Sequence, residues 1–330
     1  MTTSPPLARE QDAAALSPEP VDAPPAAPPP PRPRRGGRRA SSGAPRTRRP
    51  VATDPRVERA NRLARSVGVS VSLLALALVG LVLYLTVLSS LAEARTQENL
   101  FKTFRGELAD AVAPVGPTTP GAPVAIVSIP RLGLRAVVVE GTASGQLLDG
   151  PGHRRDTPLP GQPGTSVVYG HRSIAGRPFA QLGRLRPGDT ITVVTGQSGD
   201  LVFRVTGLRD SRQAASVRPS NAPGLTLVTA DPPWQPTHTL IVSATLVGSP
   251  QPSGGGGIAV GPAERSLAGD GDGLLSLVLW GQALVVVAVA VPWLAVRWAA
   301  WPTYLVATPV VLAVLWNVYE AVARMLPNLL

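Results

Sequence analysis

Two patterns divide the chain: three continuously apolar stretches, and one long region where apolar and polar residues alternate. Residues 66–92, SVGVSVSLLALALVGLVLYLTVLSSLA, carry no charge. A helix needs about 20 apolar residues to cross a bilayer core, so this run is predicted to be a transmembrane helix. A cleaved signal peptide would have an apolar region of only about 7–15 residues close to a small-residue cleavage site. This run is longer and lies far inside the chain. Residues 273–296, GLLSLVLWGQALVVVAVAVPWLAV, are equally free of charge, and Arg297 ends the run. A third run, 298–319, holds Pro302, Pro309 and Asn317 and stops at Glu320. Membrane helices tolerate proline, so this run is predicted to complete a tight hairpin with 273–296; an interfacial helix is the alternative.

The alternating region is 124–247. Its short runs VAIVSIP, RAVVVEG, TSVVYG, DTITVVTG, LVFRVTGLRD, LTLVTA and HTLIVSATLVG are rich in Val, Thr and Ile. Gly, Pro, Asp and Ser bound them, and no long helical period interrupts them. The pattern predicts a compact all-β domain, a barrel or a sandwich. Residues 93–123 join it to the first membrane run as a short amphipathic stalk helix followed by the proline-rich linker APVGPTTPGAP. Residues 248–272, opening on SPQPSGGGG, form a second linker. Residues 1–65 are dominated by Pro, Arg and Ala with almost no large apolar side chain. Such a segment cannot offset its ordering entropy, and a disordered tail is predicted.

Charge orients these pieces. The net charge is +10, and Lys102 is the single lysine. Twelve arginines fall between Arg32 and Arg65, against Asp54 and Glu58. Lys and Arg beside a membrane helix hold their flank inside. The N-terminus is therefore expected in the cytoplasm, the β domain outside the plasma membrane, Arg297 in a cytoplasmic turn, and the C-terminus outside. Nucleic acid is not an expected partner, since no aromatics interleave the basic block and no nucleic-acid fold is recognisable.

Cysteine is absent, which excludes disulfides, thiolate metal sites and a cysteine nucleophile. The three histidines are His153, His171 and His238, with no HxxH or HExxH spacing. No metal is expected. No glycine-rich phosphate loop joins a strand to a helix, and GGGG at 254–257 reads as linker, so no cofactor is expected either.

The segment GTSVVYGHRSIAGRPFAQLGRLRPGDTITV, 164–193, is more specific. A strand ends at Tyr169–Gly170 and His171 sits just beyond it. A loop-borne histidine at a strand end suits acid/base chemistry; an ordinary surface histidine is the competing reading. With IPRLGLRAVVVEGT (129–142), DGPGHRRDTPLPGQPGTSVVYGHRS (149–173), RLRPGDTITV (184–193) and TLVTADPPW to THTLIVSA (226–244), the domain resembles the sortases. These are membrane-anchored cysteine transpeptidases of Gram-positive cell surfaces. The resemblance implies a sortase-like eight-stranded β-barrel, here flanked by transmembrane helices. A C-terminal membrane helix is familiar in the family and a hairpin less usual. The resemblance also implies the chemistry. A cysteine thiolate attacks a sorting-signal peptide, the acyl-enzyme passes to an amine of the cell wall or a pilin, a histidine is acid/base, and an arginine steadies the oxyanion or peptide.

This chain departs from that pattern. The family strand ends Thr-Leu-x-Thr-Cys, and here Thr226, Leu227, Val228 and Thr229 are followed by Ala230. The family arginine precedes a strand of Leu-Ile-Val type, and here Thr239 stands before LIVSA. Only His171 matches among the three catalytic positions. Thr229 points to the opposite face from Ala230, because strand side chains alternate. Thr226 shares Ala230's face but lies further back. Nothing in the spacing singles out Ser173 or Ser243 as a partner for His171, and His238, beside the lost arginine position, would supply a positive charge only when protonated. The reading is a catalytically inactive sortase-like membrane protein. It would bind a sorting-signal peptide, a pilin-like or cell-wall-anchored protein, or an active sortase, as scaffold or regulator. The alternatives are an active hydrolase or transpeptidase with a relocated Ser or Thr nucleophile, and a purely structural subunit of a membrane complex.

Overall fold

The computed structural model describes residues 55–197, 199–211, 222–255, 257–265, 268, 273–298 and 300–329. Most of the predicted 1–65 tail and part of the 248–272 linker lie outside these residues.

Eight strands close into a barrel: β1 (Pro123–Ile129), β2 (Leu134–Glu140), β3 (Gly152–His153), β4 (Thr165–Tyr169), β5 (Thr190–Thr195), β6 (Leu201–Ser211), β7 (Gly224–Asp231) and β8 (His238–Val247). Their order around the wall is β1-β2-β3-β4-β7-β8-β6-β5, and β5 pairs back onto β1. The β2–β3 and β4–β7 pairs are parallel and the rest antiparallel. An eight-stranded barrel is just wide enough for side chains to fill it. Here Val127, Ile129, Val168, Phe179, Ile191, Phe203, Leu225, Leu227 and Val242 belong to the packed core. Strand β5 shows why alternation signalled a wall: every second residue is buried and the others are partly open. Strand β7 differs, because its residues from Gly224 to Ala230 are all buried. Burial on both faces of a strand requires a second layer outside the barrel.

Helices supply much of the rest. α1 (Pro55–Leu83) passes through a single π turn, Tyr84–Leu88, into α2 (Ser89–Ala109) without a break in the chain's path. In that turn Thr86 Oγ1 donates to the Val82 carbonyl at 2.8 Å and Ser89 Oγ to the Leu85 carbonyl at 2.7 Å. Hydroxyls bonding back to the preceding turn compete with the regular ladder and go with such local distortions. α2 is docked on the barrel rather than standing clear of it. Phe104 is fully buried with Ala113, Ile126 and Val137. The Gln97 amide clamps the outer edge of β2, accepting from Val137 N–H at 2.7 Å and donating to the carbonyls of Val137 (3.0 Å) and Asp149 (2.8 Å).

After the barrel come α4 (Gly273–Arg297) and α5 (Ala300–Met325), with Pro292 and Pro309 inside them. Residues 71–109, 273–297 and 301–325 form three helices long and apolar enough to cross a membrane, by length and composition. α5 runs past Glu320, where the apolar run stops in sequence, because Glu320 and Arg324 pair one turn apart. It also packs on the first helix. Tyr84 meets Trp316 edge-on at 5.2 Å, and the Tyr319 hydroxyl donates to the Ala77 carbonyl at 3.0 Å. The expected all-β class therefore describes the barrel but not the chain, since helices hold more of the described residues than strands do.

Candidate binding groove and its catalytic positions

The second layer over β7 defines the site. In the β7–β8 register Thr229 faces Leu240, while Val228 faces Ile241 and Ala230 faces Thr239. Leu240 belongs to the barrel core, so Thr229 lies on the inner face and Val228 and Ala230 lie on the outer one. Val167, Tyr169, Val228, Ala230 and Ile241 form one outer cluster. It is walled by Leu147 of the short helix α3 (Ser144–Leu147). Together they make an apolar surface across β4, β7 and β8 that is covered in this structure.

The sequence-selected positions meet at one end of it. The parallel β4–β7 register pairs Tyr169 with Val228. Continued by two residues, it brings His171 level with Ala230. Two bonds hold the strands together there: Gly170 N–H donates to the Val228 carbonyl at 3.1 Å, and Thr229 Oγ1 to the Gly170 carbonyl at 2.8 Å. The Thr229 hydroxyl is thereby committed to structure on the inner side. His171 is buried, and its carbonyl accepts from Phe179 N–H at 3.1 Å. Ala230 is fully buried and contributes a methyl group. Thr239, its register partner, is buried too, and its hydroxyl donates to the Ser211 carbonyl at 3.3 Å. His153 lies elsewhere and has a packing role. Its Nδ1 faces the Glu140 carboxylate at 2.9 Å and its Nε2 the Pro158 carbonyl at 3.0 Å.

Residues that the sequence did not single out complete this end of the groove. The Arg172 guanidinium donates to the Ala230 carbonyl at 2.9 Å and pairs with the Asp231 carboxylate. The other oxygen of Asp231 takes His238 Nε2 at 3.0 Å, and His238 Nδ1 stands 3.0 Å from Thr237 Oγ1. The cation beside Ala230 is thus Arg172, next to His171 in sequence, rather than residue 239. The signal was present as the dipeptide His-Arg at 171–172, but only the fold shows which way the arginine reaches. Asp210, Asp231 and His238 bring ligand-type atoms within 4.8 Å of one another. Arg172 already neutralises Asp231, so a metal ion there would have to displace a guanidinium.

Residues 127–247 match the family model of the sortase domain. Sortase E from Streptomyces avermitilis is 31% identical and is matched over 91% of its length and 40% of this chain, at a TM-score of 0.36. The chain belongs to the sortase family. Sortase C-1 from Actinomyces oris is 27% identical over 99% of its length and 44% of this chain, TM-score 0.37. The sortase D5 transpeptidase of Clostridium perfringens is 22% identical over 98% of its length and 47% of this chain, TM-score 0.40. No curated protein matches the chain.

In this sortase domain, then, the outer face of the β7 end carries the Ala230 methyl group. A nucleophile works when a base within hydrogen-bond reach takes its proton and a third group orients the base. Ala230 offers nothing to deprotonate. What remains there is an apolar layer with a histidine and an arginine at its end.

Proposed function

We propose that this is a non-catalytic sortase-family membrane protein whose groove binds an extended peptide. Its partner would be a sorting signal, a pilin-like or wall-anchored protein, or an active sortase that it scaffolds or regulates. The reading rests on one observation: the fully buried Ala230 methyl at the strand end, level with His171. Removing one member of a catalytic unit costs orders of magnitude in rate, and the remaining members then contribute little. Binding needs only shape and backbone partners. The arginine block at 32–65 and the three apolar helices support a multi-pass protein with its N-terminus in the cytoplasm and the barrel outside.

The test uses the full chain in detergent, as wild type and as Ala230→Cys with Thr239→Arg. Each is incubated with pooled sorting-signal peptides and examined by intact mass. An acyl adduct on the double variant alone is the expected result. An adduct on the wild type overturns the reading, and silence from both that persists once the groove is shown to be accessible favours a purely structural subunit.

A second reading has its own observation. Thr237 Oγ1, His238 and Asp231 stand in a chain of two 3.0 Å contacts on the β7–β8 turn. That is the order nucleophile, base, orienting carboxylate. It predicts an adduct that maps to Thr237 and is abolished by Thr237→Ala.

A further inference from the structure

The groove over Ala230 is not open. The chain that follows α5 turns back into it. The Leu326 carbonyl accepts from Ser144 Oγ of α3 at 2.8 Å. Asn328 N–H donates to the Ala268 carbonyl at 2.9 Å, and its side-chain amide donates to the carbonyls of Thr142 (2.6 Å) and Arg265 (2.9 Å). Asn328 and Leu329 are both 0% exposed. Leu329 packs in the same cluster as Leu147, Val167, Tyr169, Val228, Ala230 and Ile241. The second layer demanded by the double burial of β7 is therefore made in part by a residue about a hundred positions downstream.

We propose that the groove is a peptide-binding site whose resident ligand is the chain's own segment 326–329, and that any peptide from outside must displace it. The chemistry of the segment is that of a ligand. A leucine fills the apolar floor, an asparagine amide reads two backbone carbonyls, and Pro327 fixes φ and so lowers the entropy lost on ordering. Tethering makes it a strong competitor, because a short link gives an effective concentration of about a millimolar or more. The tether is also connected to the membrane helices. Segment 326–329 leaves α5 directly, α5 bonds α1 through Tyr319, and Ala323 packs beside Tyr84, Ile174 and Ala175, just beyond His171. A shift of α5 along α1 reaches the groove through four residues of chain. The proposal goes beyond peptide recognition in trans and stands without it, since occupancy by 326–329 is an intramolecular matter.

The absence of cysteine allows one introduced thiol to report. In the full chain in nanodiscs, Ala230→Cys should react slowly with a soluble maleimide. Adding Asn328→Ala and Leu329→Asp should speed it at least tenfold, while Leu225→Cys in the barrel core stays slow in both backgrounds. A free peptide of sequence Met-Leu-Pro-Asn-Leu should slow the reaction again. Equal rates with and without the tail changes, a matching rise at Leu225→Cys, or no protection by that peptide would each overturn the proposal. Because tail substitutions can misfold the chain, Ala230→Cys paired with Leu329→Cys gives an independent reading. A short bifunctional reagent should join them in high yield, and absence of the cross-link overturns the proposal. If the chain's own peptide protects the thiol and sorting-signal peptides do not, the resident segment stands and the sorting-signal reading falls.

Discussion

Gly170 is the residue that sets His171, and replacing it gives a graded test of the site. A Cβ built at Gly170 would lie 2.5, 2.8 and 2.9 Å from three carbons of the Phe179 ring, where ordinary contact begins near 3.4 Å. Phe179 is fully buried in the barrel core, and its N–H bonds the His171 carbonyl. The ring cannot swing into solvent, so Gly170→Ala must move it by the better part of an ångström or move the strand end that carries His171. Overpacking of this kind costs about 1–3 kcal/mol. At about 4 °C per kcal/mol for a domain of this size, Tm should fall by about 4–12 °C. Shortening the obstacle separates the cause. Phe179→Leu alone leaves a cavity and destabilises, but together with Gly170→Ala the added methyl has somewhere to go. The double variant should then cost less than the sum of the two singles, by about 1 kcal/mol or more. Thermal unfolding of the four proteins in one detergent measures the cycle. If Gly170→Ala changes Tm by less than 2 °C, or if the two changes simply add, the ring does not hold Gly170 and this account of His171's position fails.

Other changes probe the surrounding contacts. Gln97→Leu removes two hydrogen bonds between α2 and β2 and a third to the Asp149 carbonyl, leaving the Val137 N–H without its acceptor; at about 2 kcal/mol, its hydrogen exchange should speed by about 30-fold, and unchanged exchange would refute the clamp. The Asp149 carboxyl is pushed up chiefly by burial, with Arg324 pulling it down and Glu320 adding to the rise. The folded state then holds this proton more tightly than the unfolded one, so stability falls as pH rises from the ordinary carboxylate range through the raised value. Asp149→Asn should remove that decline and raise Tm at neutral pH, and parallel Tm–pH curves for the two proteins would contradict it. At the α1–α5 contact a Cβ on Gly80 would collide with the Tyr319 hydroxyl. Gly80→Ala should therefore weaken helix–helix cross-linking, and Tyr319→Phe in the same chain should restore most of it; failure of the rescue would place the contact elsewhere.

The barrel was legible in sequence to the extent that each strand wrote its own pattern. DTITVVTG became β5 because a wall strand with one dry face alternates, VAIVSIP became β1 with both faces buried because α2 covers its outer side, and closure into eight strands came with the family resemblance. Ala230 stood out for the same reason: it interrupts a motif. Its environment did not stand out, since a strand buried on both faces looks like any apolar run, and what covers the outer face lies far away in the chain. Leu329 and Leu147 carry no local mark of their destination. Arg172 is one of many arginines, and only the β4–β7 register turns it toward the Ala230 carbonyl. Gln97 reads as one more polar residue on a stalk helix until its amide is seen bonding β2 at both ends. The apolar run of the last helix ends in sequence at Glu320, a residue whose charge is met by Arg324 one turn later.

The Ala230 methyl group and the filled groove bear on each other. A transpeptidase must admit and release peptide at every turnover, and a resident segment lowers apparent affinity by the fraction of time the groove is open. For a catalyst that is a recurring cost; for a binding protein it is a threshold that selects partners able to compete with the tether. The same relation dictates how the chemistry must be tested. A silent Ala230→Cys, Thr239→Arg protein has two explanations, a groove that no longer recognises sorting peptides and a groove that never empties. Adding Asn328→Ala and Leu329→Asp to that protein separates them. An adduct that forms only after the tail is released means the trough kept its recognition and lost access as well as its thiol. Continued silence, with the thiol demonstrably reactive toward maleimide, means recognition itself is gone, and the barrel then serves as a packing partner for α2 and α5.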